Sequence, residues 1–307
     1  MNELSNEFSF EVFEKDEGKR ADVFLSENIS DVSRSYIQKC FKDGAVLLNG
    51  TPVKANRRLK TGEEIYIDLP ETEELDIKAE DIPLDILYED DDILIVNKPK
   101  GMVVHPAAGH YEGTLVNALM YHCGDSLSGI NGVLRPGIVH RIDKDTTGAL
   151  VVCKSDIAHR GLSEQLAVHS INRRYRAIVH GKLRESEFTV DAPIGRHHTD
   201  RKKMAVTENG KRAVTDVKVL KELNGYTYIE CTLHTGRTHQ IRVHMAHIGH
   251  PILGDTVYGP KKCPIKLCEG QTLHAYMIGF VHPVKKEYVE FYAPLPQYFE
   301  KLLKSLV

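Results

Sequence analysis

Residues Ile138–Val152 read IVHRIDKDTTGALVV. Two apolar runs enclose Arg141, Asp143, Lys144 and Asp145, which are followed by Thr146, Thr147 and Gly148. Ile138–Ile142 reads as the end of one strand and Gly148–Cys153 as the next, joined through a Thr-Thr-Gly turn. A carboxylate at a strand end is costly to bury unless it is paired. A paired carboxylate stays ionised at neutral pH, as a nucleophile or a base requires. The alternative is an Asx-type turn, in which Asp143 or Asp145 only caps backbone N–H groups. This stretch by itself leaves both open.

Outward from it, short strands dominate. ILYEDDDILIVNKPKG, from Ile86, gives two strands around an acidic turn. Helices are expected at Thr114–His122, Ile157–His169 and Thr238–Ile248. Strands outnumber helices and do not alternate regularly with them. That pattern predicts an α+β fold, a mixed and mainly antiparallel β-sheet flanked by helices and loops, over residues 86–307. Residues 1–69 read as a separate small α/β module. It has a helix at Arg20–Asn28 and a second at Arg34–Lys42, with Ser33 as N-cap and Gly44 as its stop. AVLLNGTPVKA follows as a hairpin turning at Asn49-Gly50, and then the strand IYIDL. Residues 70–85, PETEELDIKAEDIPLD, are acidic and weakly patterned, and read as a linker.

Composition is that of a globular chain: 307 residues, 41% hydrophobic, 27% charged, net charge −3. Such a balance gives no overall attraction to nucleic acid, so any claim of nucleic-acid binding has to rest on local patches. No apolar run is long enough to span a membrane, and MNELSNEFSFEVFEKDEGKR is too acidic for a secretory signal. The six cysteines are scattered. A cytoplasmic protein with reduced thiols is expected, with no obligate protein partner in view.

Two further segments can carry chemistry. In NRRYRAIVHG (Asn172–Gly181), Tyr175 stands among Arg173, Arg174 and Arg176. A ring between cations can stack on a base while its neighbours hold phosphates. The alternative is a strand with an exposed basic face and Tyr175 in the core. Arg173 to Arg212 contains eleven Lys/Arg against five Asp/Glu, a basic region in an acidic chain. LHTGRTHQIRVHMAHIGHPILG (Leu233–Gly254) holds His234, His239, His244, His247 and His250, yet lacks HExxH and has no carboxylate before Asp255, so metal binding is not expected. Gly236 reads as a turn feeding a helix that Gly249 ends. Arg242, one turn into that helix, can grip a carboxylate bidentately or pair with an unrelated surface acid. Phosphate-loop, dinucleotide and nucleophile-elbow signatures are absent, so the chemistry is expected to run on side chains, with no cofactor.

HRIDKDTTG (His140–Gly148), RRYRAIVHG (Arg173–Gly181) and TGRTHQIRVHMAHIGHPILGD (Thr235–Asp255) together resemble the three core motifs of the RluA/RluD family of RNA pseudouridine synthases. NKPKGMVVHP (Asn97–Pro106) resembles the segment near the start of that catalytic domain. SRSYIQKCFKDGAVLLNG (Ser33–Gly50) is similar to the alpha-L RNA-binding module of the ribosomal small-subunit protein four type. The resemblance implies that Asp143 is the catalytic aspartate, that Tyr175 stacks on the target base and that Arg242 pairs with the aspartate. It implies isomerisation of a uridine in RNA, foremost ribosomal RNA of the large subunit, without metal or cofactor. Arg141, Arg173, Arg174, Arg176, Arg237, His239 and Gln240 are then expected to contact substrate. Arg20, Ser33, Arg34 and Asn49 are expected to serve RNA binding in the module. Departures are small: Ile142 stands where Leu is common, Arg173 where Lys is frequent, and RADVFL replaces a more usual arginine-leucine-aspartate pattern. The competing readings are a non-catalytic RNA-binding assembly factor and a synthase for transfer RNA. An idle domain would be free to lose the aspartate, tyrosine or arginine, and all three are present.

Overall fold

The computed structural model describes residues 7–29, 32, 34–69, 77–106, 111–130, 135–200, 203–263, 265, 268 and 270–307. The chain divides into two compact units, Met1–Leu75 and Asp76–Val307.

In the first unit, β1 (Glu7–Glu11), α1 (Ala21–Asn28), α2 (Arg34–Lys42), β2 (Val46–Leu48), β3 (Thr51–Pro52) and β4 (Glu64–Asp68) follow in order. The strands form an antiparallel sheet in the order β1-β4-β2-β3. Asn49 and Gly50 both take positive φ, 48° and 76°, which is what a tight hairpin between right-twisted strands needs. Ile65 and Ile67 alternate inward from β4 to meet Phe24, Leu25 and Ile37 of the two helices. Ser33, the expected N-cap of α2, lies outside the described residues.

The second unit begins with β5 (Ile86–Glu89), β6 (Ile93–Lys98), α3 (Leu115–Cys123), β7 (Thr147–Cys153), α4 (Asp156–Ala167) and β8 (Asn172–His180). It continues through β9 (Glu187–Asp191), β10 (Ile194–Arg196), β11 (Met204–Val206), β12 (Val214–Leu223), β13 (Tyr226–Leu233) and α5 (Gln240–His247). It ends with β14 (Leu273–Val281), β15 (Tyr288–Tyr292) and α6 (Gln297–Ser305). Nine strands form one sheet, β5-β6-β7-β14-β8-β13-β12-β9, with β15 added on β14. Every pair is antiparallel except β7–β14, so the mixed, mainly antiparallel sheet is as expected. Both faces are covered around β7. Leu150 and Val152 enter one core cluster, Ala149, Val151 and Cys153 the other, with Ala158 and Leu162 of α4. That is why β7 is apolar at successive positions instead of alternating. Gly148, at φ +109°, crosses β14 so closely that a Cβ would collide with the Ala275 carbonyl.

Three features differ from the sequence reading. Ile138–Ile142 is not a strand end: Ile138 makes a single bridge to Val152. The Val151 N–H is taken by Nε2 of His140 at 3.1 Å, so a side chain replaces the backbone carbonyl that would have continued the ladder. Residues 77–85, expected within the linker, lie on the second unit. Ile77 is buried, the Lys78 carbonyl accepts from Asn117, and the Glu80 carboxylate accepts from the Gly113 N–H. Residues 70–76 of that linker lie outside the described residues. The third is α6, which the sequence reading did not anticipate. Its Phe299 and Leu302 pack on Ile178 and Leu253. Among the described residues, no helix is long and apolar enough to cross a membrane.

Candidate active site

Three motifs that are far apart in sequence meet at a cavity of about 620 Å³. Val139–Asp143 and Thr146, Arg173 and Tyr175 of β8, and Gly236–Arg242, leading into α5, all line it.

Asp143 sits on a tight turn, its carbonyl accepting the Thr146 N–H at 3.0 Å. The turn is pinned from behind by Lys98, which has no exposed surface. Its ammonium donates to the carbonyls of Pro99, Met102 and Lys144 at 2.8, 2.8 and 2.9 Å. Burial draws Lys98 down to about 7, with Asp145 and Asp143 opposing. Three carbonyl acceptors nevertheless match the three donors of the charged form. Gln271 adds a bond to the Thr146 hydroxyl at 2.7 Å.

Arg242 faces Asp143 from α5. Its Nη1 donates to Asp143 Oδ2 at 2.8 Å. Its Nε and Nη2 grip Asp255 at 2.6 and 3.0 Å. Asp255 is itself buried and accepts the N–H groups of Val257 and Tyr258. The fork therefore fixes the plane of the guanidinium on Asp255 and leaves Nη1 to aim Asp143. Burial works against the charge of Arg242, but Asp255 and then Asp143 outweigh it and raise its pKa above the usual arginine value. Among the described residues, Asp143 Oδ1 has no hydrogen-bond donor. His239 stands near it, with Nε2 at 3.7 Å. His239 takes the left-handed conformation at the start of α5, and its Nδ1 meets the Tyr258 hydroxyl at 2.7 Å. Burial lowers the pKa of His239 despite Asp143. The result is a carboxylate with one oxygen held and the other directed at open space, the disposition a nucleophile or base needs.

Tyr175 lines the same cavity and is 8% exposed. Burial raises its hydroxyl pKa, Arg173 lowers it and Asp143 raises it. Arg141 is exposed at the wall. Arg237 lines the cavity and donates to the Arg212 carbonyl at 2.9 Å. Gln240 also lines it, but its amide is spent inside the protein. Oε1 accepts from Thr235 and Arg237, and Nε2 donates to Val214 and Thr215. Its expected substrate contact is therefore corrected to a brace for the loop before α5. Arg174 and Arg176 require a correction too. On a strand, alternate residues face opposite sides, so both point away from Arg173 and Tyr175, onto Glu290 and Glu230. In the first unit, Arg20 is held by the Asp22 carboxylate at 2.9 Å. Asn49 uses Oδ1 to accept the Glu64 N–H, a turn role.

The sequence reading missed Asp255, Tyr258 and Lys98. Asp255 closes the third motif, and Lys98 lies in NKPKG; both segments were singled out without a role for these side chains. Among the described residues, one trio can converge on a metal, Glu89, His122 and Cys123. It lies outside the cavity, and Glu89 is already paired with Lys154 at 2.8 Å.

Comparison with known proteins gives the class of this fold and site. The family model for RNA pseudouridylate synthase matches residues 92–247, and the chain belongs to that family: it is an RNA pseudouridine synthase. Over 301 residues it is 52% identical to YlyB of Bacillus subtilis, an uncharacterised RNA pseudouridine synthase, covering 98% of both chains. It is 48% identical over 300 residues to the ribosomal large subunit pseudouridine synthase D of Zymomonas mobilis, covering 94% of each. Among solved structures it resembles human RNA pseudouridylate synthase domain containing 1, with TM-score 0.57 and 26% identity over 74% of this chain and 96% of that one.

Proposed function

We propose that the enzyme converts uridine to pseudouridine in large-subunit ribosomal RNA, in the cytoplasm, with Asp143 as the catalytic carboxylate. The observation that carries this reading is the Asp143–Arg242–Asp255 chain beside Tyr175 in one cavity. The relatives whose names specify the large ribosomal subunit, at 41–48% identity, support the substrate.

The target nucleotide has to leave its helix before its ribose and base reach such a cavity. Tyr175 offers an aromatic face on which the uracil stacks, and stacking tolerates in-plane rotation better than a set of hydrogen bonds does. Asp143 Oδ1 then adds to the ribose or removes a sugar proton. Either use requires an ionised oxygen held at a fixed position. Arg141, exposed at the wall, suits a backbone phosphate. The first unit supplies additional RNA affinity.

Mapping pseudouridine across ribosomal and transfer RNA from cells lacking the protein tests this. Sites in large-subunit ribosomal RNA are expected to vanish, and to return with wild type but not with Asp143→Ala. Restoration by Asp143→Ala would overturn the catalytic assignment. Loss confined to transfer RNA would overturn the substrate.

A further inference from the structure

Arg173, expected from the sequence to contact substrate, is a cavity cation that the protein itself leaves without a counter-charge. It is 8% exposed, and its Nε has no hydrogen-bond partner, as is also true of Arg176, but Arg176 has the Glu230 carboxylate beside it. Among the described residues, no carboxylate stands within ion-pair distance of it, whereas Arg242 has two. Burial lowers its pKa, with only the Tyr175 hydroxyl opposing. The backbone is shaped around it: a Cβ on Gly236 would stand 2.6 Å from Nη1. A buried guanidinium without a counter-charge destabilises a fold. Such a group is retained where a substrate supplies the missing negative charge.

Depth separates the two anions that RNA can offer. Phosphates run along the surface, and only the base and ribose of an extruded nucleotide enter a cavity. Arg173 is buried in the cavity lining, on the same face of β8 as Tyr175 and one strand repeat away, about 6.7 Å. A nucleotide with its ribose at Asp143 and its ring over Tyr175 shares that cavity with Arg173. On the catalytic reading proposed above, we propose that the Arg173 guanidinium binds the uracil carbonyl oxygens and takes up the negative charge that the ring acquires when it detaches. The N1–C1′ bond breaks with its electron pair going to the ring, where the charge spreads over N1, O2 and O4. The ring turns, and C5 bonds to C1′ as Asp143 gives up its bond to the sugar or returns the sugar proton it took; the C5 proton then passes to solvent while N1 takes one from it. Uridine and pseudouridine are isomers, so the step needs no co-reactant. Charge that develops only as the bond breaks is what a preorganised buried cation stabilises most.

The test uses the full chain, a transcript of large-subunit ribosomal RNA, and the variants Arg173→Met, Arg173→Lys and Asp143→Asn. Arg173→Met is expected to bind the transcript within about threefold of wild type with an unchanged salt slope, while the single-turnover rate falls about 100-fold or more. Arg173→Lys is expected to recover part of that rate. The thermal midpoint of Arg173→Met is expected to rise, because an unpaired buried charge is gone. A loss confined to affinity, with a shallower salt slope, would reassign Arg173 to a phosphate and overturn the proposal. So would a lowered midpoint with an unchanged rate, the mark of a structural arginine. Full activity of Asp143→Asn would instead overturn the underlying catalytic reading.

Discussion

Along β8, Arg173 and Tyr175 alternate with Arg174 and Arg176. The first pair lines the cavity. The second pair faces the opposite side, where Arg176 pairs with Glu230 at 2.8 Å and lies over the Tyr276 ring. There Arg174 meets the Tyr292 hydroxyl at 3.1 Å and stands 3.7 Å from Glu290. Residue type is the same on both faces and the electrostatic situation is opposite. On one face the cations are neutralised by the protein. On the other Arg173 is left for something outside it. Four basic or aromatic residues in a row therefore describe two surfaces, and the strand period decides which of them does chemistry.

The comparison is sharpened most strongly at Arg242, the cavity cation that is neutralised. Arg242→Gln leaves Asp255, 1% exposed at its side chain, without its forked partner. A loss of about 3–5 kcal/mol in stability is expected, together with a fall in rate of the order of 10⁴-fold as Asp143 loses its aim. Arg242→Lys keeps the charge but cannot bridge two carboxylates in one plane, and is expected to recover stability better than rate. Denaturant unfolding and single-turnover kinetics on each variant check this. Equal recovery of both would mean that only the charge matters.

Lys98 gives the next largest effect, and it separates rate from stability. Its ammonium is spent on three carbonyls around the Asp143 turn. Its folded pKa is about 7 against an ordinary 10.5. As pH rises through about 7 the charged form is lost, one donor disappears and the turn loosens, so the rate is expected to decline. Stability moves the other way. A lysine with a depressed folded pKa carries its full cost below about 7, and that cost is relieved as pH climbs toward 10.5. Lys98→Met is expected to have a lower rate at neutral pH and to lack the alkaline decline. The same decline in Lys98→Met would assign it to another group.

Much of this was legible beforehand. Asp143, Tyr175 and Arg242 are each carried by a motif, and the strand-rich pattern gave the sheet class. What stayed hidden depends on contacts between distant segments. Asp255 is thirteen positions beyond Arg242, and nothing in that spacing says that a loop returns it to the guanidinium. Lys98 reads as one of many surface lysines until the fold closes Lys144 over it. Gln240 looks like a substrate amide in a motif, and only its four internal hydrogen bonds show it to be occupied. Arg174 and Arg176 are a different kind of error. Once Asn172–His180 is read as a strand, alternation alone separates them from Tyr175.

That separation predicts the smallest effects. Arg176→Ala removes an arginine whose side chain is 19% exposed and which sits against Glu230 and Tyr276, so a cost of about 1–2 kcal/mol in stability is expected. Arg174→Ala removes a more exposed contact and is expected to cost no more than about 1 kcal/mol. Neither faces the cavity, so single-turnover rates at saturating RNA are expected to stay within about twofold of wild type for both, against the loss expected from Arg173→Met. The three neighbours on one strand thus form an internal control, with the same charge removed each time and only the face differing. A rate loss in Arg174→Ala comparable to that of Arg173→Met would break the comparison. It would mean that RNA reaches both sides of the sheet and that pairing with Glu290 does not remove a cation from substrate binding.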